Sequence, residues 1–233
     1  MSNDKKAVVK ELRFVAMTHI PALNVSHKLL KELAYSFDLN NSTLQTRYGV
    51  IEITPEKIGD SLGLNASREC YPNKIKNKEI NEEQKEVIEN FKGCTLSQLT
   101  KSLIDMSVDG PENQLKFKRI FILFIQKCFL LPTTINKNFS IHMPLILHVD
   151  IIQEWNWAAH VFNFLIKSIR GHKLKNKFAV DGCLFVLMII YFHESTNKNR
   201  PVDRILGPPW VQRWTRKKLV KRIESKVKDE MVT

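Results

Sequence analysis

Cys183 is the residue whose surroundings look most like those of a nucleophile. It stands in Asp181-Gly182-Cys183-Leu184-Phe185-Val186, at the start of an apolar run that reads as a helix. A thiol in that place feels the positive end of the backbone dipole, which favours thiolate. Hydrolysis would also need a base and an oxyanion donor. The 25 residues before Cys183 contain no glutamine to act as that donor, and no His-Trp pair precedes it to supply the base. The sequence therefore makes Cys183 a core residue, a small hydrophobe inside a helix.

Other chemistries are excluded by spacing. The seven histidines (His19, His27, His142, His148, His160, His172 and His193) form neither HExxH nor a paired Cys/His arrangement, so no metal site is expected. With eight glycines in the chain, neither GxGxxG nor GxxxxGK[ST] occurs, and no carboxylate pair stands out as an acid/base couple. Cys70, Cys94, Cys128 and Cys183 are widely separated, which fits a reducing compartment. No catalytic residue, cofactor or metal is predicted.

The remaining chemical asset is charge. The chain has a formal net charge of +12 and a pI near 9.5, an excess that favours nucleic acid, acidic proteins or an anionic membrane surface. Its densest basic stretch is C-terminal: Arg213, Arg216, Lys217, Lys218, Lys221, Arg222, Lys226 and Lys228, opposed only by Glu224. Arg216, Lys217, Lys218, Lys221 and Arg222 fall on overlapping faces of one helix and are the candidate phosphate contacts. Such contacts position a protein on a polyanion without reading sequence. The run KKLVKR also has the form of a nuclear-import signal.

The elements that must position these residues are mostly helical. Phe117, Ile120, Phe121, Phe124, Cys128 and Leu131 recur at steps of three and four and line one helix face; Pro132 stops that helix. Trp157, Val161, Phe164, Leu165 and Ile169 repeat the pattern. Asp181 is expected to cap a buried helix over Gly182–Glu194, and Lys167–Lys177 to form a basic loop before it.

Nearer the N-terminus a weak helix is expected over Lys5–Phe14, then one after Ser26 through Leu29, Leu30, Leu33 and Phe37. Tyr48–Ile53 is the best strand candidate. Thr54 and Pro55 open a helix that Gly63 closes. The segment TPEKIGDSLGLNASREC has the opening of a helix-turn-helix, but Tyr71-Pro72-Asn73 interrupts its second helix, so a structural turn is expected instead. Asn73–Glu89 reads as a solvated helix or an excursion, and Thr95 as the start of a helix through Leu96, Leu99 and Leu103. Gly110-Pro111 ends the connection that follows, and Trp210 and Trp214 begin a closing helix. The first residues carry no secretory signal, and no apolar run reaches the length of a membrane span.

Three blocks together resemble the plant mobile domain family, whose members are often labelled aminotransferase-like. They are Arg47–Leu64 (RYGVIEITPEKIGDSLGL), Phe117–Trp157 with its Phe129-Leu130-Leu131-Pro132 helix end and Trp157-Ala158-Ala159-His160-Val161, and Gly182-Cys183-Leu184 opening an apolar helix. Ala158 departs from the glycine usual after that tryptophan and leaves the fold assignment standing. The resemblance implies a transposon-derived nuclear protein similar to legume members of the family. Some of those carry a C-terminal SUMO-protease-like domain, so this chain would be the non-catalytic portion, with any protease domain beyond Thr233 or lost. Transamination is rejected: the glycine- and serine-rich phosphate cup that pyridoxal phosphate needs is missing.

The expected fold is mainly α: a single helical domain over residues 1–195 with one small β element near residues 48–53, and a basic loop and helix, 196–233, packed on it. The expected function is a non-enzymatic nuclear module, the cytoplasm being the alternative location. It would bind nucleic acid or chromatin-associated partners, with no membrane. The alternative is a non-catalytic accessory region of a split or truncated SUMO-type cysteine protease.

Overall fold

The computed structural model describes residues 1–21, 25–67, 80–133, 143–175, 180–197 and 207–228. The fold is mainly α with one small antiparallel sheet. Its packing falls into two compact units, Met1–Val15 with Ser67–Asn156, and Ala16–Ala66 with Trp157–Thr233. The packing thus divides at Val15/Ala16, Ala66/Ser67 and Asn156/Trp157, places where the sequence reading drew no boundary.

In the first unit, α1 (Asn3–Glu11) is capped by Ser2, whose hydroxyl accepts from the Lys5 amide. It lays Val8 and Val9 against α6 (Gly110–Ile125). Phe14 meets Phe121 edge-on at 6.3 Å, and Glu11 pairs with Lys118 at 2.7 Å. Helices α4 (Glu82–Phe91) and α5 (Leu96–Asp105) both begin with capping boxes, Asn81 with Gln84 and Thr95 with Gln98. Each box satisfies two end donors reciprocally. Val87, Ile88 and Phe91 of α4 rest on a buried cluster of Leu99, Ile120, Leu123 and Ile146.

The central helix starts earlier than its apolar stripe. Gly110-Pro111 ends the connection after α5, as expected, and opens α6, with Pro at the first turn. There its missing donor costs nothing, because first-turn amides have no intrahelical partner. The helix widens into a π-turn over Gln126–Leu130 and ends at Leu131, before Pro132 as expected.

The second unit holds the sheet and the remaining α-helices. Helix α2 (His27–Tyr35) stops two residues short of Phe37. Phe37 belongs to β1 (Phe37–Asp38), which pairs antiparallel with β2 (Thr43–Thr46), and β2 pairs in turn with β3 (Gly49–Glu52). The strand expected near Tyr48–Ile53 is therefore the last of a three-stranded meander. Its β2–β3 turn is Arg47-Tyr48, with the guanidinium 4.9 Å from the centre of the tyrosine ring.

Helix α3 (Pro55–Leu62) has the boundaries its sequence predicts. The Thr54 hydroxyl accepts from the Lys57 amide at 3.3 Å, and Gly63 ends the helix in the left-handed conformation, φ +67°. α3 packs on α7 (Trp157–Lys175), and Gly59 leaves room for the chain that follows α3 to fold back against it. A Cβ there would stand 3.1 Å from the Ala66 Cβ, 3.5 Å from the Ala158 Cβ and 2.9 Å from the Leu64 carbonyl oxygen.

Two expectations about the C-terminal half are corrected. Lys167–Lys175 is helical, the last turns of α7, not a loop; Ile169 and His172 point inward while Lys167, Arg170 and Leu174 are exposed, so the helical period persists through the basic residues. Helix α8 begins at Leu184 and runs to Asn197, so Asp181 is not its cap residue. Gly182 precedes it at φ +89°, where an added Cβ would lie 3.3 Å from the Phe164 ring and 3.4 Å from the Leu165 Cα. The expected burial of this helix on most sides holds: Val186 to Phe192 are each at most 1% exposed. Tyr71-Pro72-Asn73, the interruption of the helix-turn-helix pattern, lies outside the described residues.

Candidate nucleic-acid interface

The basic helix is held in place by aromatic residues just before it. Trp210 and Trp214 do not begin the helix. Trp210–Arg213 forms a 3-10 turn, and α9 (Arg216–Lys228) follows. Trp210 stacks on the His193 ring of α8, centroids 3.9 Å apart and planes 4° from parallel. Trp214 tilts on Phe192 at 5.6 Å. Thr215 then caps α9, its hydroxyl accepting from the Lys218 amide at 3.4 Å and its carbonyl from the Leu219 amide at 3.0 Å. Leu219 is fully buried.

The five candidate residues divide into two groups. Arg216, Lys217, Lys218 and Lys221 are exposed. Arg216, Lys217 and Lys221 border a shallow concave surface with Val220 and Glu224, all within nine positions of one helix. Lys217 and Lys221 are one turn apart, about 6 Å along the axis. The Lys218 ammonium reaches back to the Arg213 carbonyl at 3.3 Å.

Arg222 is turned the other way, sharing the packed side with Leu219. It donates from Nη2 to the Ser195 hydroxyl at 2.9 Å, and its guanidinium lies 5.9 Å from the centre of the Phe192 ring. Its Nε is buried without a hydrogen-bond partner among the described residues. Arg222 is an anchor of the helix, and the outward face is carried by the other four.

The segments Ala16–Ala66 and Trp157–Thr233 contain 20 Lys and Arg against 11 Asp and Glu, so they carry +9 of the formal +12. The first turn of α9 has no acidic residue. Arg216, Lys217 and Lys218 instead stand at the positive end of the helix dipole, an arrangement that disfavours the helix and attracts anions.

Cys183 is 2% exposed. The half-buried Cys128 has its thiol pushed up to about 12 by desolvation. Cys70 and His142 lie outside the described residues, among which no cluster of three or more His, Cys, Asp and Glu could hold a metal ion. No helix among the described residues is long and apolar enough to cross a membrane.

His193, beneath Trp210, carries no sequence signal, because nothing in the primary structure pairs a histidine of α8 with a tryptophan seventeen positions on. Burial lowers its pKa; neighbouring Glu194 opposes the shift and Lys57 adds to it, the latter two ion-paired at 2.9 Å. The folded chain thus holds His193 neutral where the unfolded chain would bind a proton. Stability is expected to fall as the pH drops below about 6.5 and to level off once the folded histidine is also protonated. Urea midpoints measured across this range should show the fall, and His193→Phe, which keeps a ring under Trp210, should flatten it.

No curated protein matches the chain, and no solved structure matches it. Residues 1–188 match a family model described as Domain of unknown function (DUF8566). Helix α9 and the turn that anchors it lie beyond the matched residues. The chain, matched over most of its length, belongs to the DUF8566 family.

Proposed function

We propose that this chain is a non-enzymatic, transposon-derived nuclear module that binds nucleic acid through the outward face of α9. The observation that carries the reading is the exposure of Arg216, Lys217, Lys218 and Lys221 on a helix anchored from its opposite side by Leu219 and Arg222. Four cations on one face, in segments that carry +9 of the formal charge, suit successive phosphates of a polyanion. Such contacts are not sequence-specific, so chromatin or duplex of any sequence is the expected partner. The likeness of Arg47–Leu64, Phe117–Trp157 and Gly182–Leu184 to plant mobile domain proteins supports the nuclear and transposon-derived parts of the reading. The burial of Cys183 supports the non-enzymatic part.

The test is titration of the full chain into a labelled random duplex at low salt. Saturable binding upholds the reading, and absence of binding under those conditions overturns it.

The same geometry sets function against stability. Lys217→Glu places a carboxylate in the first turn, where the dipole favours it, and is expected to stabilise the protein by about 0.3–1 kcal/mol. It should at the same time weaken duplex binding. A urea melt and a binding titration on one preparation measure both. Loss of stability together with retained binding would contradict the role given to this turn.

A further inference from the structure

A second surface in the same unit combines cations with an aromatic ring standing in water. Tyr35, the last residue of α2, is 61% exposed, and Leu174, near the end of α7, is 75% exposed. The backbone at Tyr35 is tied to α7. The Lys173 ammonium donates to the Tyr35 carbonyl at 2.7 Å and to the Phe37 carbonyl at 2.6 Å, tying the end of α2 to α7. The edge of His172 meets the Tyr35 ring at 5.4 Å and 61°. Lys31 is exposed one turn earlier on the same side of α2, and Arg170 is exposed on α7. The acidic Glu32 nearby is paired with Lys28 at 3.8 Å.

We infer that Tyr35 is a stacking platform for an unpaired base of single-stranded nucleic acid, with Lys31 and Arg170 serving the flanking phosphates. This rests on the polyanion reading of the chain and adds a preference for strandedness that α9 alone does not give. An exposed ring among cations has the composition of single-strand sites, where a base stacks on the aromatic face and the backbone follows positive charge. Duplex DNA keeps its bases stacked and offers this ring nothing. An anionic bilayer would call for a continuous apolar face, whereas along α2 and α7 only Tyr35 and Leu174 are large apolar residues standing in water among the described residues.

The experiment compares a labelled oligothymidine with a labelled random duplex of equal length, using the full chain at low salt. Wild type is expected to bind the single strand more tightly. Tyr35→Ala should weaken single-strand binding about tenfold and leave duplex binding within about twofold, while Tyr35→Phe, which keeps the ring, should retain the preference. Matching thermal melts establish that both variants fold. The inference is overturned if Tyr35→Ala changes neither affinity, if it weakens both equally, or if Tyr35→Phe loses the preference. It is also overturned if anionic vesicles bind with the same dependence on Tyr35 as the oligothymidine. Duplex binding that survives Tyr35→Ala, with no single-strand effect, leaves the α9 reading standing and removes this one. If the chain binds neither nucleic acid, both fall.

Discussion

Gly63→Val is expected to destabilise the protein by about 2–5 kcal/mol, seen as a large fall in the urea midpoint without a change in slope. Two causes add. The residue sits at φ +67°, where a Cβ collides with the following carbonyl, and that conformation costs a non-glycine residue roughly 1–2 kcal/mol. The site is also full. An added Cβ would lie 2.7 Å from the Ala16 Cβ and 3.0 Å from the Pro209 Cγ, neither of which has a flexible end that can swing away, and forced overpacking costs about 1–3 kcal/mol more. Ala16 leads from the N-terminal segment and Pro209 leads into the turn that seats Trp210, so the same clash should loosen the anchor of α9. Gly93, also at positive φ but with nothing within 4 Å of an added Cβ, is the control: Gly93→Ala should show only the conformational part of the penalty.

The second large effect concerns binding. Changing Arg216, Lys217, Lys218 and Lys221 together to glutamine is expected to reduce duplex affinity at low salt by about a hundredfold or more, while the melting temperature stays the same or rises. All four side chains are exposed, so their neutralisation removes no packing, and three of them leave the unfavourable end of a helix dipole. Arg222→Gln should do the reverse. It strips the Ser195 hydrogen bond and the contact with Phe192, lowering stability and affecting affinity only through a loosened helix. A binding curve and a melt on each variant separate the two roles.

Where boundary chemistry was local, the sequence was sufficient. Thr54, Pro55 and Gly63 delimit α3, and Thr95 with Gln98 opens α5, because caps act within four residues of the end they satisfy. The short strands β1 and β2 escaped notice, since two residues of one and the polar Thr43–Thr46 of the other give no usable alternation. The end of α7 reads as a loop because lysines and arginines obscure a period that Ile169 and His172 still mark.

The basic face was legible in the same way, as charge at helical spacing, but its division was not. Whether Arg222 joins Lys221 or opposes it depends on Phe192 and Ser195, about thirty positions away in sequence. His193 beneath Trp210 and Lys173 beneath the end of α2 are likewise tertiary facts. Cys183 shows the converse. Its flanking residues invited a catalytic reading, the absence of partners argued against one, and its burial agrees with the core role.

The most direct test of the central claim is the salt dependence of duplex binding by the wild-type chain and by the four-glutamine variant. If the outward face of α9 holds phosphates, log affinity falls linearly with log salt, and the variant's slope is shallower by about 0.9 for each cation lost, roughly three to four in all. Two parallel lines, differing in height but not in slope, would mean that these residues do not displace counterions from the nucleic acid, and the proposed role of α9 would be wrong.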